Sequence, residues 1–256
     1  MKITICQLHD EPQKLKEDWQ NLIRHAKSNS SDLVLLPEMP FSRWFAISPD
    51  FDPTRWDKAV DHHEIWLEYL FELAPAAVAG SRPVNRVGKR VNEGFLWSAD
   101  DGYRPAHHKY FLPDETGFYE ARWYGHGNPD FTVQSCGAAQ AGFQICTELW
   151  SMEHARKYGE NHAELILNPR ATEVATNDKW LVGGRATSIV SGCFCVSSNR
   201  TGQAENDLEF GGLGWITSPD GEILATTSPE NPFITLDVDL DRARQAKNSY
   251  PRYAIR

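Results

Sequence analysis

The chain has 256 residues, of which 41% are hydrophobic and 24% are charged. These values are ordinary for a globular protein with enough apolar material for a full core, and the length favours one large α/β domain over two small ones. The formal net charge of -9 argues against a general nucleic-acid binder, because such a protein needs a basic surface to neutralise phosphates.

No apolar run approaches the ~18 residues that a membrane-spanning helix needs, and the N-terminus lacks the apolar stretch of a signal peptide. We therefore expect a cytoplasmic protein with no membrane partner. The five cysteines are irregularly spaced, which is not the pattern of a disulfide framework, so we expect free thiols. Cys193 and Cys195 form a lone C-x-C pair, which predicts core residues rather than a zinc site. The sequence implies no metal and no cofactor.

Strand and helix patterns alternate along the chain. Strands are predicted where apolar residues run continuously or alternate with polar ones: 2–8, 33–36, 76–79, 91–98, 103–108, 131–134, 142–146, 165–167, 193–197, 213–217, 223–226 and 233–239. Apolar residues at helical spacing predict helices over 15–26, 65–73, 153–161 and 180–191. Alternating helices and buried strands imply sheets covered by helices, and the hairpins within the series imply mixed sheets.

Three polar residues lie at the ends of predicted strands, where α/β proteins hold their sites. They are Glu38, Lys109 and Cys146. Each alone is weak evidence, since a glutamate or lysine there is usually a surface residue and a free cysteine usually packs as a small hydrophobe. Together they supply a base, a cation and a thiol nucleophile. A thiol with a pKa of about 8.5 needs a base to attack a carbonyl at neutral pH, and a lysine can stabilise both the thiolate and an oxyanion.

The chain resembles the nitrilase superfamily of carbon–nitrogen hydrolases almost from end to end. The resemblance rests on ordered blocks: Leu35-Leu36-Pro37-Glu38, His108-Lys109 with Leu112-Pro113, Gly142 to Glu148, Leu167-Asn168-Pro169 and Asn199-Arg200-Thr201-Gly202. It implies a single carbon–nitrogen hydrolase domain over 1–256. The implied fold is an αββα sandwich of two mixed β-sheets flanked by helices, which pairs into αββα-αββα in a homodimer or a higher homo-oligomer.

The resemblance also assigns roles. Glu38 would be the general base, and Lys109 would bind the oxyanion with the backbone N–H of Thr147. Cys146 would form a thioester and release it to water. A second glutamate follows the lysine in many members, and Glu120 matches it better than Glu115 because aromatic residues flank Glu120.

Substrate choice is open at this stage. True nitrilases tend to have Trp-Glu after the cysteine, so Thr147 and the glutamate after it favour an amide or N-carbamoyl substrate over a nitrile. Candidate pocket residues are Trp44, Phe45, Tyr119, Trp123 and Trp150. Arg170 either clamps a carboxylate or makes a surface or structural ion pair. The tryptophan- and proline-rich segment 41–61 either walls the pocket or is a packed surface loop.

The leading hypothesis is therefore a thiol-dependent hydrolase of a small, non-peptide C–N bond that releases ammonia or an amine. Nitrile hydrolysis and acyl transfer to a nucleophile other than water use the same three residues and remain alternatives. A catalytically silent binding or scaffold protein of the same fold is a further alternative. Retention of base, cation and thiol together argues against it.

Overall fold

The computed structural model of the protein describes residues 1–254. Its strands are β1 (Lys2–His9), β2 (Leu33–Leu35), β3 (Ala77–Arg86), β4 (Lys89–Ser98), β5 (Gly102–His108), β6 (Gln134–Cys136), β7 (Ala139–Phe143), β8 (Leu165–Arg170), β9 (Phe194–Gln203), β10 (Glu209–Gly211), β11 (Trp215–Thr217), β12 (Ile223–Thr226) and β13 (Phe233–Asp237). Its α-helices are α1 (Pro12–Asn29), α2 (Pro53–Leu67), α3 (Glu120–Trp123), α4 (Met152–Glu160), α5 (Asn177–Ser191) and α6 (Leu240–Ala246). Short 3-10 turns cover Leu70–Leu73, Cys146–Trp150, Val174–Thr176 and Arg252–Ala254.

Strand β1 takes part in two sheets. Residues 2–6 pair with β13, and the middle of β1 pairs in parallel with β2, whereas residues 7–9 pair in parallel with β9. The first sheet runs β5-β4-β3-β2-β1 and the second runs β1-β9-β8-β7-β6. Each sheet combines parallel and antiparallel pairs, which confirms the prediction of mixed sheets.

The two sheets pack face to face because successive side chains of a strand point to opposite sides. On β2, Leu33 and Leu35 belong to the same buried cluster as Phe143 and Leu167 of the second sheet. Val34, between them, belongs instead to the cluster that α1 covers. Continuous apolar strands of this kind are expected where both faces are buried.

The other face of the second sheet is also covered by a helix. Ile166 of β8 is buried in one cluster with Ala155 and Tyr158 of α4. The layers therefore run helix, sheet, sheet, helix, and the predicted αββα architecture is confirmed. The pairing of two such chains stays a prediction.

Several predicted bounds were wrong. The helix predicted over 65–73 begins instead at Pro53, because the carboxylate of Asp52 caps it by accepting from the N–H groups of Thr54 and Arg55 at 2.8 and 3.3 Å. The strand predicted over 131–134 lies at Gln134–Cys136, and the strand predicted over 142–146 lies at Ala139–Phe143. Apolar residues in the turn after β7 had extended that prediction past the real end of the strand.

The helices among residues 1–254 include none that is long and apolar enough to cross a membrane. In the same range, no three His, Cys, Asp or Glu side chains are grouped so that they could hold a metal ion.

Candidate active site

The ends of three strands bring Glu38, Lys109 and Cys146 together. Glu38 follows β2, and Lys109 directly follows β5, both in the first sheet. Cys146 follows β7 of the second sheet. Glu38 and Lys109 are fully buried, and Cys146 is only 3% exposed. The site therefore lies where the two packed sheets meet.

Lys109 lies between two buried carboxylates. Its Nζ donates to Oε1 of Glu38 at 2.8 Å and to Oε2 of Glu120 at 2.6 Å. The side-chain amide of Asn92 also donates to Oε1 of Glu38, at 2.7 Å, and the hydroxyl of Tyr124 donates to Oε2 of Glu120. We call Glu38, Lys109 and Glu120 the carboxylate–lysine cluster.

Each carboxylate of this cluster keeps one oxygen free. Oε2 of Glu38 and Oε1 of Glu120 are buried and have no hydrogen-bond partner within the protein. A buried acceptor without a donor is costly, so both atoms are available for a proton or a donor that enters the site. Glu115, the rival second glutamate, is exposed, and its backbone pairs with Phe118. Glu120 is the glutamate that contacts Lys109.

Burial and charge set the protonation of the cluster. Burial alone would lower the pKa of Lys109, but the negative charges of Glu120 and Glu38 outweigh it and raise that pKa above its usual value. Lys109 is therefore charged at all ordinary pH. Burial raises the pKa of Glu120 from 4.5 to about 7, against the opposing effect of Lys109. Glu120 therefore exchanges its proton near neutral pH.

Cys146 is a protonated thiol at rest. Burial raises its pKa well above the ordinary value, the charge of Glu38 raises it further, and Lys109 only partly opposes them. Its Sγ lies 3.9 Å from the carbonyl oxygen of Ala171. A thiol in this state cannot attack until a nearby base removes its proton.

The backbone at Cys146 is unusual, with a φ of 48° in the left-handed region that few residues other than glycine adopt. Cys146 begins a 3-10 turn rather than ending a strand. The side-chain amide of Asn168 donates to the Cys146 carbonyl at 3.3 Å and also to the carbonyl of Gln144. The first N–H groups of a helical turn, here including that of Thr147, have no acceptor within the turn.

Arg200 holds the loop that carries Glu38. It donates to the carbonyl oxygens of Glu38 at 3.3 Å and Met39 at 2.6 Å, and also to that of Ser42. Its charge is matched by Asp10 at 2.6 Å, and both side chains are 1% exposed. The loop needs this support because Met39 also has a left-handed φ, of 44°.

A cavity of about 530 Å³ opens onto Cys146 and Glu120. Thr147 and Trp150 line it, together with the aromatic rings of Phe118 and Trp180 and the charged residues Glu115, Glu173 and Lys179. The volume fits a small substrate.

Arg170, Trp44 and Tyr119 do not line this cavity. Arg170 is fully buried, and its guanidinium donates to the hydroxyls of Ser197 and Thr172 at 2.8 and 2.7 Å and to the Leu213 carbonyl at 2.7 Å. These contacts occupy all three of its nitrogens, so the structure does not support the expectation of a carboxylate clamp.

Trp44 and Tyr119 lie in a separate apolar cluster instead. The indole N–H of Trp44 donates to the Gly117 carbonyl at 2.9 Å, and its ring packs near Phe45 and Phe210. Tyr119 packs partly buried against the same cluster. Of the two alternatives for segment 41–61, the packed one is closer, because no residue of the segment lines the cavity. Most of its aromatic residues pack in this cluster, whereas Phe41 packs in the cluster that α1 covers.

Sequence reasoning missed the residues that position the charged groups. Asn92 had a detectable signal, since it is a polar residue at a buried position of a predicted strand. Tyr124 and Arg200 stood in blocks that carry the family resemblance, but nothing in the sequence paired them with Glu120 and Glu38.

Comparison with known proteins identifies the family. The family described as "Carbon-nitrogen hydrolase" matches residues 2–248. Nitrilase homolog 2 of Dictyostelium discoideum is 24% identical over 258 residues, covering 93% of this chain and 75% of that protein. The omega-amidase of Bos taurus is 22% identical, covering 91% of this chain and 86% of that protein. The N-carbamoylputrescine amidase of Solanum lycopersicum is 26% identical over 60% of this chain and 55% of that protein.

Solved structures share the fold. A carbon–nitrogen hydrolase from Helicobacter pylori G27 superposes with a TM-score of 0.89 at 22% identity, covering 100% of this chain and 95% of that one. An amidase from Nesterenkonia sp. superposes with a TM-score of 0.77 at 18% identity, covering 99% of this chain and 95% of that one.

Proposed function

The chain belongs to the carbon–nitrogen hydrolase family, and on that premise we propose that it hydrolyses a small amide or N-carbamoyl compound through a thioester on Cys146. Glu38 acts as the general base, Lys109 and the N–H of Thr147 stabilise the oxyanion, and Glu120 orients the lysine and the substrate nitrogen. The products are a carboxylic or carbamic acid and ammonia or an amine.

In the first half-reaction, Oε2 of Glu38 takes the thiol proton while the sulfur of Cys146 attacks the carbonyl carbon. The π electrons of the C=O bond move onto the oxygen, and the charge of Lys109 and the N–H of Thr147 stabilise the resulting oxyanion. The oxyanion then re-forms the carbonyl, the C–N bond breaks, and the proton held on Glu38 passes to the leaving nitrogen.

In the second half-reaction, a water molecule replaces the amine. Glu38 removes a proton from this water, which attacks the thioester carbon through a second tetrahedral intermediate. The C–S bond breaks, and the thiolate of Cys146 recovers the proton from Glu38. Each turnover consumes one water and leaves the protein unchanged.

One observation carries this proposal: a buried lysine joins two carboxylates, and the thiol that interacts electrostatically with all three lies on the wall of a cavity. The raised pKa of Cys146 makes a base necessary, and the partner-free oxygen of Glu38 supplies one. Glu120 lines the cavity and has one carboxylate oxygen without a partner, which could accept from a substrate N–H.

The activities of similar proteins support an amide substrate. Curated relatives include an omega-amidase, N-carbamoylputrescine amidases and a citrullinase from Francisella tularensis, the last 24% identical over 88% of this chain. A structure of a mutant of the Nesterenkonia amidase shows the result of Michael addition of acrylamide at that protein's active-site cysteine. An electrophile of this kind is therefore a suitable probe for Cys146.

The test is ammonia release from a panel of small aliphatic, aromatic and N-carbamoyl amides and the matching nitriles. Wild type should release ammonia from at least one amide, and Cys146→Ala should not. Cys136→Ala is the matched control, because Cys136 is also a buried free thiol but lines a different cavity. Its activity should equal that of wild type.

Other outcomes would select an alternative. Ammonia from nitriles alone would make the protein a nitrilase, and formation of hydroxamate without free acid in the presence of hydroxylamine would make it an acyl transferase. If no substrate reacts and iodoacetamide does not alkylate Cys146 faster than Cys136, the proposal fails in favour of a silent scaffold. Cytoplasmic location and assembly into a homo-oligomer stay predictions.

A further inference from the structure

We infer that Glu148 is a positioning residue, whose buried carboxylate fixes Lys109 and Cys146 relative to each other. This inference rests on the proposed function, because it concerns how the oxyanion-binding cation and the nucleophile are held. Glu148 does not line the cavity, so its effect must pass through the backbone.

The carboxylate of Glu148 joins two segments that are distant in the chain. Its Oε1 accepts from the N–H of Tyr110 at 2.7 Å, and its Oε2 accepts from the N–H of Ile145 at 2.8 Å. The Nε2 atom of His107 lies 3.0 and 2.9 Å from the two oxygens. Glu148 is fully buried, so these contacts are not weakened by competing water.

On the first segment, the peptide group that follows Lys109 is held at both ends. The carbonyl of Lys109 accepts from the N–H of Gly127 at 2.7 Å, and the N–H of Tyr110 is bound by Glu148. The N–H of Lys109 itself donates to the carbonyl of Asn92 at 2.9 Å. The backbone from which the lysine side chain projects is therefore fixed.

On the second segment, Glu148 holds the turn that presents the thiol. It binds the N–H of Ile145, and its own N–H donates back to the Ile145 carbonyl at 3.1 Å. Cys146 lies between them with its left-handed φ. A conformation of this kind persists only where neighbouring groups hold it, and Glu148 is the side chain that closes this turn.

Only a carboxylate of this length provides both contacts. Both bonds run from backbone donors to side-chain oxygens, and a carboxylate has two acceptor oxygens. In Glu148→Gln, one acceptor is replaced by an NH₂ group that would face a backbone N–H. In Glu148→Asp, both oxygens remain, but the side chain is one methylene shorter and cannot reach both segments without movement.

The experiment compares Glu148→Gln with a matched variant, Glu164→Gln. Glu164 is also buried, accepts from the backbone N–H of Gln140 at 2.6 Å, and pairs with Arg244 at 2.9 Å. Gln140 lies on β7, the same strand that leads to Cys146, but at its other end. Both variants therefore remove a buried carboxylate that binds the backbone, and only one does so beside the site.

We expect kcat for the responsive amide to fall by about tenfold to 100-fold in Glu148→Gln, with KM little changed, because a shift of about 1 Å between reacting groups has an effect of this size. The rate of iodoacetamide alkylation at Cys146, measured by peptide mass spectrometry, should fall as well. Glu148→Asp should recover part of both losses. Glu164→Gln should lower the melting temperature but leave kcat and the alkylation rate at the wild-type values.

The inference is overturned if folded Glu148→Gln keeps the wild-type kcat and alkylation rate, or if Glu164→Gln loses both equally. If Glu148→Gln does not fold, the same measurements are made on His107→Gln, which removes the imidazole that contacts the Glu148 carboxylate. A wild-type kcat and alkylation rate in that variant would also overturn the inference. Should wild type prove inactive on every amide, kcat cannot be compared, but the ratio of alkylation rates still tests Glu148 separately from the proposed function.

Discussion

The raised pKa of Glu120 predicts that the protein loses stability as the pH rises through neutrality. A carboxyl group with a folded-state pKa above its unfolded value binds its proton more tightly in the folded state, so its contribution is present below the unfolded pKa and is lost as the pH rises through the folded pKa. For Glu120, that window runs from 4.5 to about 7. Glu120 is fully buried, so solvent screening is small.

The size of the effect follows from that window. At 1.36 kcal/mol per pH unit, a pKa that rises from 4.5 to about 7 corresponds to a loss of about 3 kcal/mol. Because Glu38 and Glu120 both contact Lys109, the proton belongs to the carboxylate–lysine cluster as a whole. Glu120→Gln resembles the protonated form in shape and should remove the dependence.

The assay is urea unfolding followed by tryptophan fluorescence at intervals from pH 4.5 to 8.5. We expect wild type and Glu120→Gln to have similar stability at the lowest pH and to diverge by about 3 kcal/mol above neutrality, with the variant more stable. Glu115→Gln, which removes an exposed carboxylate from the same cavity, controls for the loss of one negative charge. Parallel curves for wild type and Glu120→Gln would refute the reasoning.

Three other substitutions test the surroundings of the site. Arg200→Met should lower the free energy of unfolding by about 3–5 kcal/mol in urea titrations, because it leaves the buried carboxylate of Asp10 without a positive charge to balance it. A loss below about 1 kcal/mol would contradict this. Gly127→Ala places a Cβ 2.0 Å from the carbonyl oxygen of His108, so the backbone must move and kcat should fall; an unchanged kcat would show that the neighbouring lysine tolerates the shift. Tyr124→Phe removes a hydroxyl that stabilises the charged carboxylate of Glu120. The midpoint of the pH dependence of stability should therefore move upward from about 7. A downward shift would be inconsistent with that hydrogen bond.

The sequence predicted the layers of the fold because the core strands carry a strong signal. The apolar run 33–36 indicated a strand buried on both faces, and the structure places alternate residues of it against the second sheet and against α1. The bounds of the helix predicted over 65–73 were wrong for a local reason. The helix begins where the carboxylate of Asp52 accepts from the N–H groups of Thr54 and Arg55. The spacing of apolar residues carries no information about such a cap.

For the candidate site too, the sequence indicated some features and not others. Residues that follow strands were identified, because topology brings strand ends together whatever the side chains are. Arg170 also lies at the end of a strand, yet its guanidinium is held by protein acceptors. Whether a polar residue at a strand end faces the cavity or the protein depends on rotamers and partners contributed by distant segments. A single sequence does not carry that information.

Burial supports the proposed mechanism, which uses no histidine. It raises the pKa of Cys146, so the proposed nucleophile stays a thiol until a base takes its proton. It also raises the pKa of Glu120, which lets the carboxylate–lysine cluster exchange a proton near neutral pH. Lys109 remains charged because two carboxylates surround it. The cluster therefore keeps a fixed cation and a mobile proton within one buried network. In a low-dielectric site, that combination favours proton transfer from sulfur to carboxylate at the moment when an oxyanion forms beside the lysine.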